Sequence, residues 1–523
     1  MNWRHYVILF AIGLLIPFAV SRFQNLPGYM DADYYFAGGA ELAKGNGFTE
    51  PYLWNYLDDP QGLPHPSHTY WMPLASIVSA IGMWITGQVT YTSGRLPFIL
   101  LSACVPLMTA TLAFDISRNR LLAVVSGLLS IFSLYYAPFM PVPDNYAIFM
   151  LLGGTFLLLA PRTQKWIPVA LGALAGLMTL ARSDGLLWLG LAGLVVMWKS
   201  VRKEDGTKNS FAKWLALIVP GGLLALLGYF LVMGGWHYRS YTLFHSFMTP
   251  GGERLLWLQN YNQTFSYPAE AITREGFLAA GWSTALNVRL KALGSNISNT
   301  FAAQGGIFLF PFILIGLWDL RKEFRVKVAV TGWLILFFVM TVIFPFAGAR
   351  GSFFHAGAAF QPLWWVAAPV GLNVVIKAAR RRGLFADNAY TVFQGMLVIL
   401  AMVMTYYLVN LRVFGEWATE DGVYADVEQM FIYNGISPQV GVIVRNPPGY
   451  YISTGRPAIA LPYGDETVIL EVAKRYDAGL LVLESSGTFE SIQDLYDNPK
   501  DTDVFNYLGE VDEAKLYRIK VED

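Results

Sequence analysis

Two carboxylates two positions apart, Asp31 and Asp33, open a helical run, Tyr34 to Lys44, that Gly45-Asn46-Gly47 closes. Either carboxylate suits the N-cap or first turn of that helix, where unpaired backbone N–H groups and the helix dipole favour negative charge. A carboxylate placed there can also act as a general base, taking the proton of a hydroxyl as it attacks. If the group attacked carries an anionic leaving group, the reaction needs positive charge to stabilise that group as well. Arg350, in the turn Gly-Ala-Arg-Gly, offers one such charge where the backbone can approach a ligand closely. A divalent cation, Mg or Mn, held by Asp31 and Asp33 would offer another. His65-x-x-His68, with Asp58 and Asp59 upstream, has the residue types of a metal site too, but Pro66 makes the spacing uninformative.

The rest of the chain must hold these groups in place, and by composition it is a membrane chain. Of its 523 residues 54% are hydrophobic and 14% charged. Apolar runs recur at about 15–20 residues, near the length a helix needs to cross ~30 Å of hydrocarbon. The first, Tyr6 to Val20, lacks a small-x-small cleavage site before Arg22 and reads as a retained anchor. Further spans are expected at 95–114, 121–137, 145–160, 166–181, 186–198, 214–234, 303–319, 328–346, 357–376 and 391–410, about eleven in all. Trp71 to Thr86 is apolar as well, but reads as a helix along the membrane surface. With that helix on the surface, the basic turns all fall on one side. They hold Arg4; Arg118 and Arg120; Arg162 and Lys165; Lys199, Arg202, Lys203, Lys208 and Lys213; Arg321 to Lys327; and Lys377 to Arg382. The positive-inside rule makes that side cytoplasmic. The N-terminus is then inside, and the candidate acids collect at the other face.

The formal net charge of zero conceals an asymmetry. Residues 411–523 carry 9 Lys/Arg against 20 Asp/Glu, leaving 28 against 17 in 1–410. An acidic tail on a basic membrane body argues against a nucleic-acid partner. The single cysteine, Cys104, excludes an intramolecular disulfide. In the tail, VGVIV and GLLVLE read as buried strands, ETVILEVAKRY as an amphipathic helix between them, and KLYRIKV as a last strand. Asn446-Pro-Pro-Gly marks a tight turn there. The long loop 235–302 suits short surface helices and carries glycosylation sequons at Asn262 and Asn296.

The order of these features is one span, Asp-x-Asp-x-Tyr opening a helix with Glu41, a Gly-x-Gly close, a Pro-containing turn ending in Tyr70-Trp71, and a surface helix. It resembles the membrane glycosyltransferases of the GT-C superfamily, among them the protein O-mannosyltransferases and the bacterial aminoarabinose transferases. The likeness is firmest over residues 1–200 and covers the tail only as an outer soluble domain. It implies a polytopic α-helical fold, the first outer loop as active site, and a polyprenyl-phosphate sugar donor. Carried onto this sequence, Asp31 matches the acid taken as catalytic base, Asp33 is its less constrained neighbour, and Asp144 matches a second outer acidic position. His65 falls where the aminoarabinose transferases have a lysine near the donor phosphate, a departure because histidine is only partly charged near neutral pH. LAGLMTLARSDG resembles a segment that places Arg182 near the head group; an Arg at a helix end is also an ordinary membrane anchor.

The implied reaction moves a sugar from the lipid donor to a hydroxyl of a protein, lipid or glycan, inverting its anomeric carbon. Asp31 would be the base, and His65, Arg182 and Arg350 would hold the donor phosphate. The implied organisation is a spanning domain, 1–410, containing the first outer loop, 23–94, and the long outer loop, 235–302. A C-terminal extracytoplasmic α/β domain, 411–523, completes a multi-pass protein of the plasma membrane. The competing readings are a polytopic transporter, which would carry ionisable groups at mid-membrane and internal repeats, and a non-catalytic envelope assembly protein.

Overall fold

The computed structural model describes residues 1–201, 210–247, 251–386, 388–415, 417 and 423–520. Arg202, Lys203 and Lys208, assigned above to the cytoplasmic side, lie outside the described residues. The chain forms two compact units. A helical unit joins Met1–Phe23, Leu96–Phe247 and Arg289–Gly415, and an α/β unit joins Gln24–Arg95, Met248–Val288 and Glu416–Asp523. The first outer loop, placed with the spans by sequence, is thus grouped with the tail.

Among the described residues seven helices are long and apolar enough to cross a membrane: Trp3–Ser21, Tyr91–Ser117, Ser183–Val201, Phe211–Phe244, Phe324–Ile343, Pro345–Arg381 and Ala389–Phe414. Each coincides with an expected span. The other four expected spans fall on shorter apolar helices, Arg120–Ile131, Tyr146–Leu159, Ile167–Ala181 and Phe310–Asp319, so length singles out seven rather than eleven. The span expected at 121–137 breaks after Ile131, where Phe132 leaves helical geometry (φ −85, ψ 66) and Leu134–Phe139 continues as a 3-10 turn. Bare backbone lets these helices close on one another. A Cβ at Gly172 would fall 1.8 Å from the Ala225 carbonyl oxygen, and one at Gly228 1.9 Å from that of Val169.

Four of the basic turns meet at one end of the helical unit. Asp115 accepts from Arg118 at 3.1 Å, from Arg162 at 3.3 Å and from Arg325, while Lys199 donates to the Arg162 carbonyl. Asp144 precedes Tyr146–Leu159, whose far end leads to Arg162, and Arg182 follows Ile167–Ala181. At 1.5 Å per residue both polar groups lie about 20 Å along a helix from the basic end. Asn296, in the second sequon, is buried and donates to the Met340 carbonyl (3.2 Å) and the Thr341 hydroxyl (3.0 Å), which excludes it as an accessible glycan acceptor.

In the α/β unit, β1 (Thr49–Glu50) and β2 (Tyr52–Leu53) come from the first loop, and β3 (His65–Pro66) pairs antiparallel with β1. The tail supplies β4 (Gly441–Val444), β5 (Ala458–Ala460), β6 (Ala478–Leu483), β7 (Phe505–Val511) and β8 (Ala514–Ile519). The sheet runs β2-β5-β4-β6-β8-β7, with β2 lying parallel to β5 at its edge. This pairing is why the first loop belongs with the tail. Strand β4 is buried along its whole length, which is why it reads as an unbroken apolar run rather than an alternating one. The expected tail helix is Glu466–Tyr476, N-capped by Asp465.

The helix expected along the surface is Leu74–Thr86. Its small residues face inward: Ser76 and Ser79 close on Gly38 and Gly39, where a Cβ would approach within 2.8–2.9 Å. Ile81, Trp84 and Ile85 face out, 40%, 55% and 80% exposed, while Met83 packs inward. The outward face is thus apolar over a helix of 13 residues, about 20 Å long.

Candidate active site

The loop helix runs Met30–Lys44, four residues earlier at its start than the sequence suggests. Tyr29 is the N-cap, in extended geometry and without a side-chain cap, so Asp31 and Asp33 are first-turn residues and neither is the cap. The C-terminal end is as expected: Gly45 takes φ +88, and the N–H groups of Gly45 and Asn46 return to the Leu42 and Glu41 carbonyls. Asp31 is half-buried. Asp33 is fully buried, and its Oδ2 accepts from Asn446 Nδ2 at 2.8 Å. Successive helix positions turn by about 100°, so two residues put Asp31 about 200° around the helix from Asp33.

His65 is buried opposite Glu50 in the β1–β3 ladder. Its Nε2 lies 3.1 Å from Glu50 Oε1 and its Nδ1 3.9 Å from Asp58 Oδ2. The carboxylates flank the ring on opposite sides, which is ion-pair geometry and not chelation. His68 turns away to the hydroxyls of Ser67 (2.7 Å) and Ser76 (2.9 Å), and Asp59 pairs with Arg475 at 3.0 Å. The four residues that suggested a metal site therefore diverge. Tyr34, from the loop helix, ties in: its oxygen accepts from the His68 N–H at 2.8 Å, and its hydroxyl is bonded to Glu50.

Burial alone would pull the His65 imidazole down, but Glu50 and Asp58 outweigh it and leave its pKa raised above 6.5. Burial likewise pushes the carboxyls of Glu50 and Asp58 up. All three groups bind protons more tightly folded than unfolded. The histidine's share of stability is therefore complete below pH 6.5 and lost as pH rises through the higher folded value. Full-length protein should accordingly unfold more readily as pH climbs from 6.5. His65→Gln should flatten that limb and cost about 1–3 kcal/mol at pH 6, since Glu50 and Asp58 lose their cation. An unchanged alkaline limb in the variant would show that His65 does not carry it.

In the helical unit Asp144 is fully buried, and its Oδ2 lies 3.3 Å from His355 Nε2. His355 Nδ1 is 3.1 Å from the Gly351 carbonyl, which can only accept, so Nδ1 carries a proton. Nε2 then holds either a second proton shared with Asp144 or a lone pair beside the carboxylate, a donor pair suited to a cation. Tyr146 stacks on the imidazole at 4.4 Å. Arg350 is exposed in the π-helical turn Gly348–Ser352, which Gly351 bends at φ +110. Arg182 donates to Asp184 from both Nε (3.1 Å) and Nη2 (2.9 Å), each side chain about 10% exposed. Asp184 is also the one charged residue lining a narrow cleft whose walls include Leu187, Trp188, Leu191, Ile335, Leu336 and Phe360.

The structure thus brings Asp144 to His355, Arg182 to Asp184, Asp33 to Asn446 and His65 to Glu50. Sequence reasoning left His355 and Asn446 unassigned. The available signals were local ones: Gly351 one turn before His355, and an Asx-type cap before the Pro-Pro of the tail.

No protein-family model matches the sequence, and none of the curated proteins does. Solved structures do match in fold. ArnT from Cupriavidus metallidurans, bound to undecaprenyl phosphate, superposes with a TM-score of 0.62 at 12% identity, over 98% of this chain and 97% of that one. The same protein in the apo state gives 0.58 at 13% identity, over 99% and 98%. The archaeal oligosaccharyltransferase AglB from Archaeoglobus fulgidus, in complex with an inhibitory peptide and a dolichol-phosphate, gives 0.54 at 13% identity, over 91% and 69%. A structure of the Archaeoglobus enzyme holds Zn and sulfate, with a TM-score of 0.52 at 14% identity, over 91% and 67%.

Proposed function

We propose that this chain, a multi-pass membrane protein with the fold of the GT-C glycosyltransferases, moves a sugar from a polyprenyl-phosphate donor to an acceptor hydroxyl. The observation that carries this is the end-to-end likeness to a protein bound to undecaprenyl phosphate. In the reaction, the acceptor oxygen attacks the anomeric carbon as the bond from that carbon to the phosphate oxygen breaks. The electron pair leaves with the polyprenyl phosphate, and Asp31 takes the hydroxyl proton. Attack opposite the leaving group inverts the anomeric centre. The test is to supply purified protein with undecaprenyl phosphate carrying labelled mannose or aminoarabinose and to look for label on an acceptor hydroxyl. Intact donor and no product across such a panel would defeat the reading.

The donor phosphate is assigned to His65, Arg182 and Arg350. Alanine at a true contact should weaken undecaprenyl phosphate binding by about 1–3 kcal/mol, the worth of a hydrogen bond to a charged group. His65 should lose least, because it is buried between two carboxylates. Wild-type affinity in all three variants would remove the assignment. A divalent cation would stabilise charge on the phosphate oxygens; Asp144 with His355 has suitable donor atoms, whereas Asp31 and Asp33, about 200° apart around their helix, do not converge on one ion. Chelation should then stop transfer and Mg or Mn restore it, whereas full turnover in chelator would take the cation out.

Orientation follows from the convergence of Arg118, Arg162, Lys199 and Arg325, which we assign to the cytoplasmic side of a plasma membrane. Residues 23–94 and the tail are then extracytoplasmic, with Leu74–Thr86 along the interface. In a Cys104→Ser background, an impermeant thiol reagent should label Thr90→Cys and spare Asn119→Cys. The reverse pattern would invert the protein and move the site to the other face.

A further inference from the structure

The helix Pro447–Thr454 of the tail grips the loop helix at both ends. At one end Asn446 does two jobs: its Oδ1 accepts from the Gly449 N–H at 3.2 Å, capping its own helix, and its Nδ2 donates to buried Asp33 at 2.8 Å. At the other, the Tyr451 hydroxyl donates to Glu41 Oε1 at 2.7 Å. Glu41 also takes Lys44 Nζ at 2.8 Å and Asn46 Nδ2 at 2.7 Å. Burial would push the Glu41 carboxyl up, but those three donors outweigh it and hold it low. Asp33 and Glu41 are eight positions apart, about 12 Å along the helix axis. Two fixed points that far apart define both the axial position and the rotation of a rod. Asp31 lies about 200° around the helix from Asp33, so fixing that rotation fixes the direction in which Asp31 is presented.

We propose that the tail is a positioning element for catalysis: through Asn446 on Asp33 and Tyr451 on Glu41 it sets the rotation of the helix that presents Asp31. This rests on Asp31 being the base. Asn446 and Tyr451 are positioning residues, since each acts through another side chain. The same contacts give the proposal a reversible test. Asn446→Asp keeps the helix cap but sets two carboxylates against each other. Asp33→Asn in that background restores a donor–acceptor pair with its direction reversed.

The experiment uses the full chain in nanodiscs, with undecaprenyl-phosphate mannose or aminoarabinose as donor and hydrogen exchange of amides 30–44 as a second readout. N446D should speed exchange in the first turn and lower kcat by about 10²-fold with little change in KM, as expected when a reacting group is misplaced by about 1 Å. The D33N/N446D pair should return both readouts to within a few-fold of wild type. Tyr451→Phe, which keeps the ring and its packing, should lower kcat a few-fold and so serves if N446D does not fold. Faster exchange with unchanged kcat, or a loss that the double variant does not recover, would overturn the proposal. A wild type that transfers no sugar would count against the function instead, because exchange reads the fastening without turnover.

Discussion

The Asp31→Asn protein is expected to insert, fold and bind donor as the wild type does, and to lose transfer by roughly 10²–10⁴-fold, the usual contribution of a general base. Three features of Asp31 support this. It is a first-turn residue of Met30–Lys44, where the helix N-terminus favours negative charge. It is half-buried, whereas Asp33 is sealed against Asn446. It also follows the first apolar helix, Trp3–Ser21, by ten residues in the chain. Asparagine keeps the size and polarity of the side chain but does not accept the acceptor's proton. Asp33→Asn should lose less, because the amide oxygen still accepts from Asn446, and Asp144→Asn an intermediate amount if the pair with His355 orients acceptor or cation. Single-turnover assays on the three variants, each checked for donor binding, would rank them. Wild-type turnover in Asp31→Asn would reject the base, and a product with retained anomeric configuration would reject single displacement.

What the sequence disclosed and what it hid follow one physical division. The spans are legible because a bilayer demands long apolar helices, so Trp3–Ser21, Tyr91–Ser117 and Ala389–Phe414 announce themselves. Gly45 announces the loop helix's end because a left-handed C-cap favours glycine. The start was misjudged because Tyr29 is not a capping type and leaves no mark in the sequence. Strands β4 and β6 are buried and apolar; β7, half-exposed and interrupted at Gly509, shows no such pattern and was missed. The site partners are the least legible. Asn446 meets Asp33 across 413 positions and His355 meets Asp144 across 211, and the local signals at Asn446 and His355 say nothing of partners so far away in the chain. The first loop's membership of the tail sheet rests on two residues, Tyr52 and Leu53, too short a strand for any alternation to show.

The largest loss of stability is expected at Arg456, which is 1% exposed and lies just before β5. Its Nε and Nη2 donate to the two oxygens of Glu428 at 2.8 and 2.7 Å, and its Nη1 donates to the carbonyls of Ser437 and Val440 at 2.7 and 2.8 Å. Tyr450 adds a bond to Glu428 at 3.0 Å, and burial keeps its phenol pushed well up, so it remains a donor. Arg456→Met would leave Glu428 without its cation and two carbonyls without their donor. Removing one partner of a buried pair costs about 3–5 kcal/mol, whereas replacing both by apolar groups is often close to neutral. Arg456→Met should therefore unfold the α/β unit at much lower denaturant, and Glu428→Leu in the same chain should recover the part owed to the stranded carboxylate but not the part owed to the two carbonyls. The readout is proteolysis of the full-length protein across a urea series, cleavage sites identifying the unit that opens. Because Arg456 lies two residues beyond the end of Pro447–Thr454, the single variant should also loosen the grip on Asp33 and Glu41. Transfer should then fall at urea concentrations where the wild type still turns over. A single variant as resistant as the wild type would mean that the ion pair does not hold this unit together.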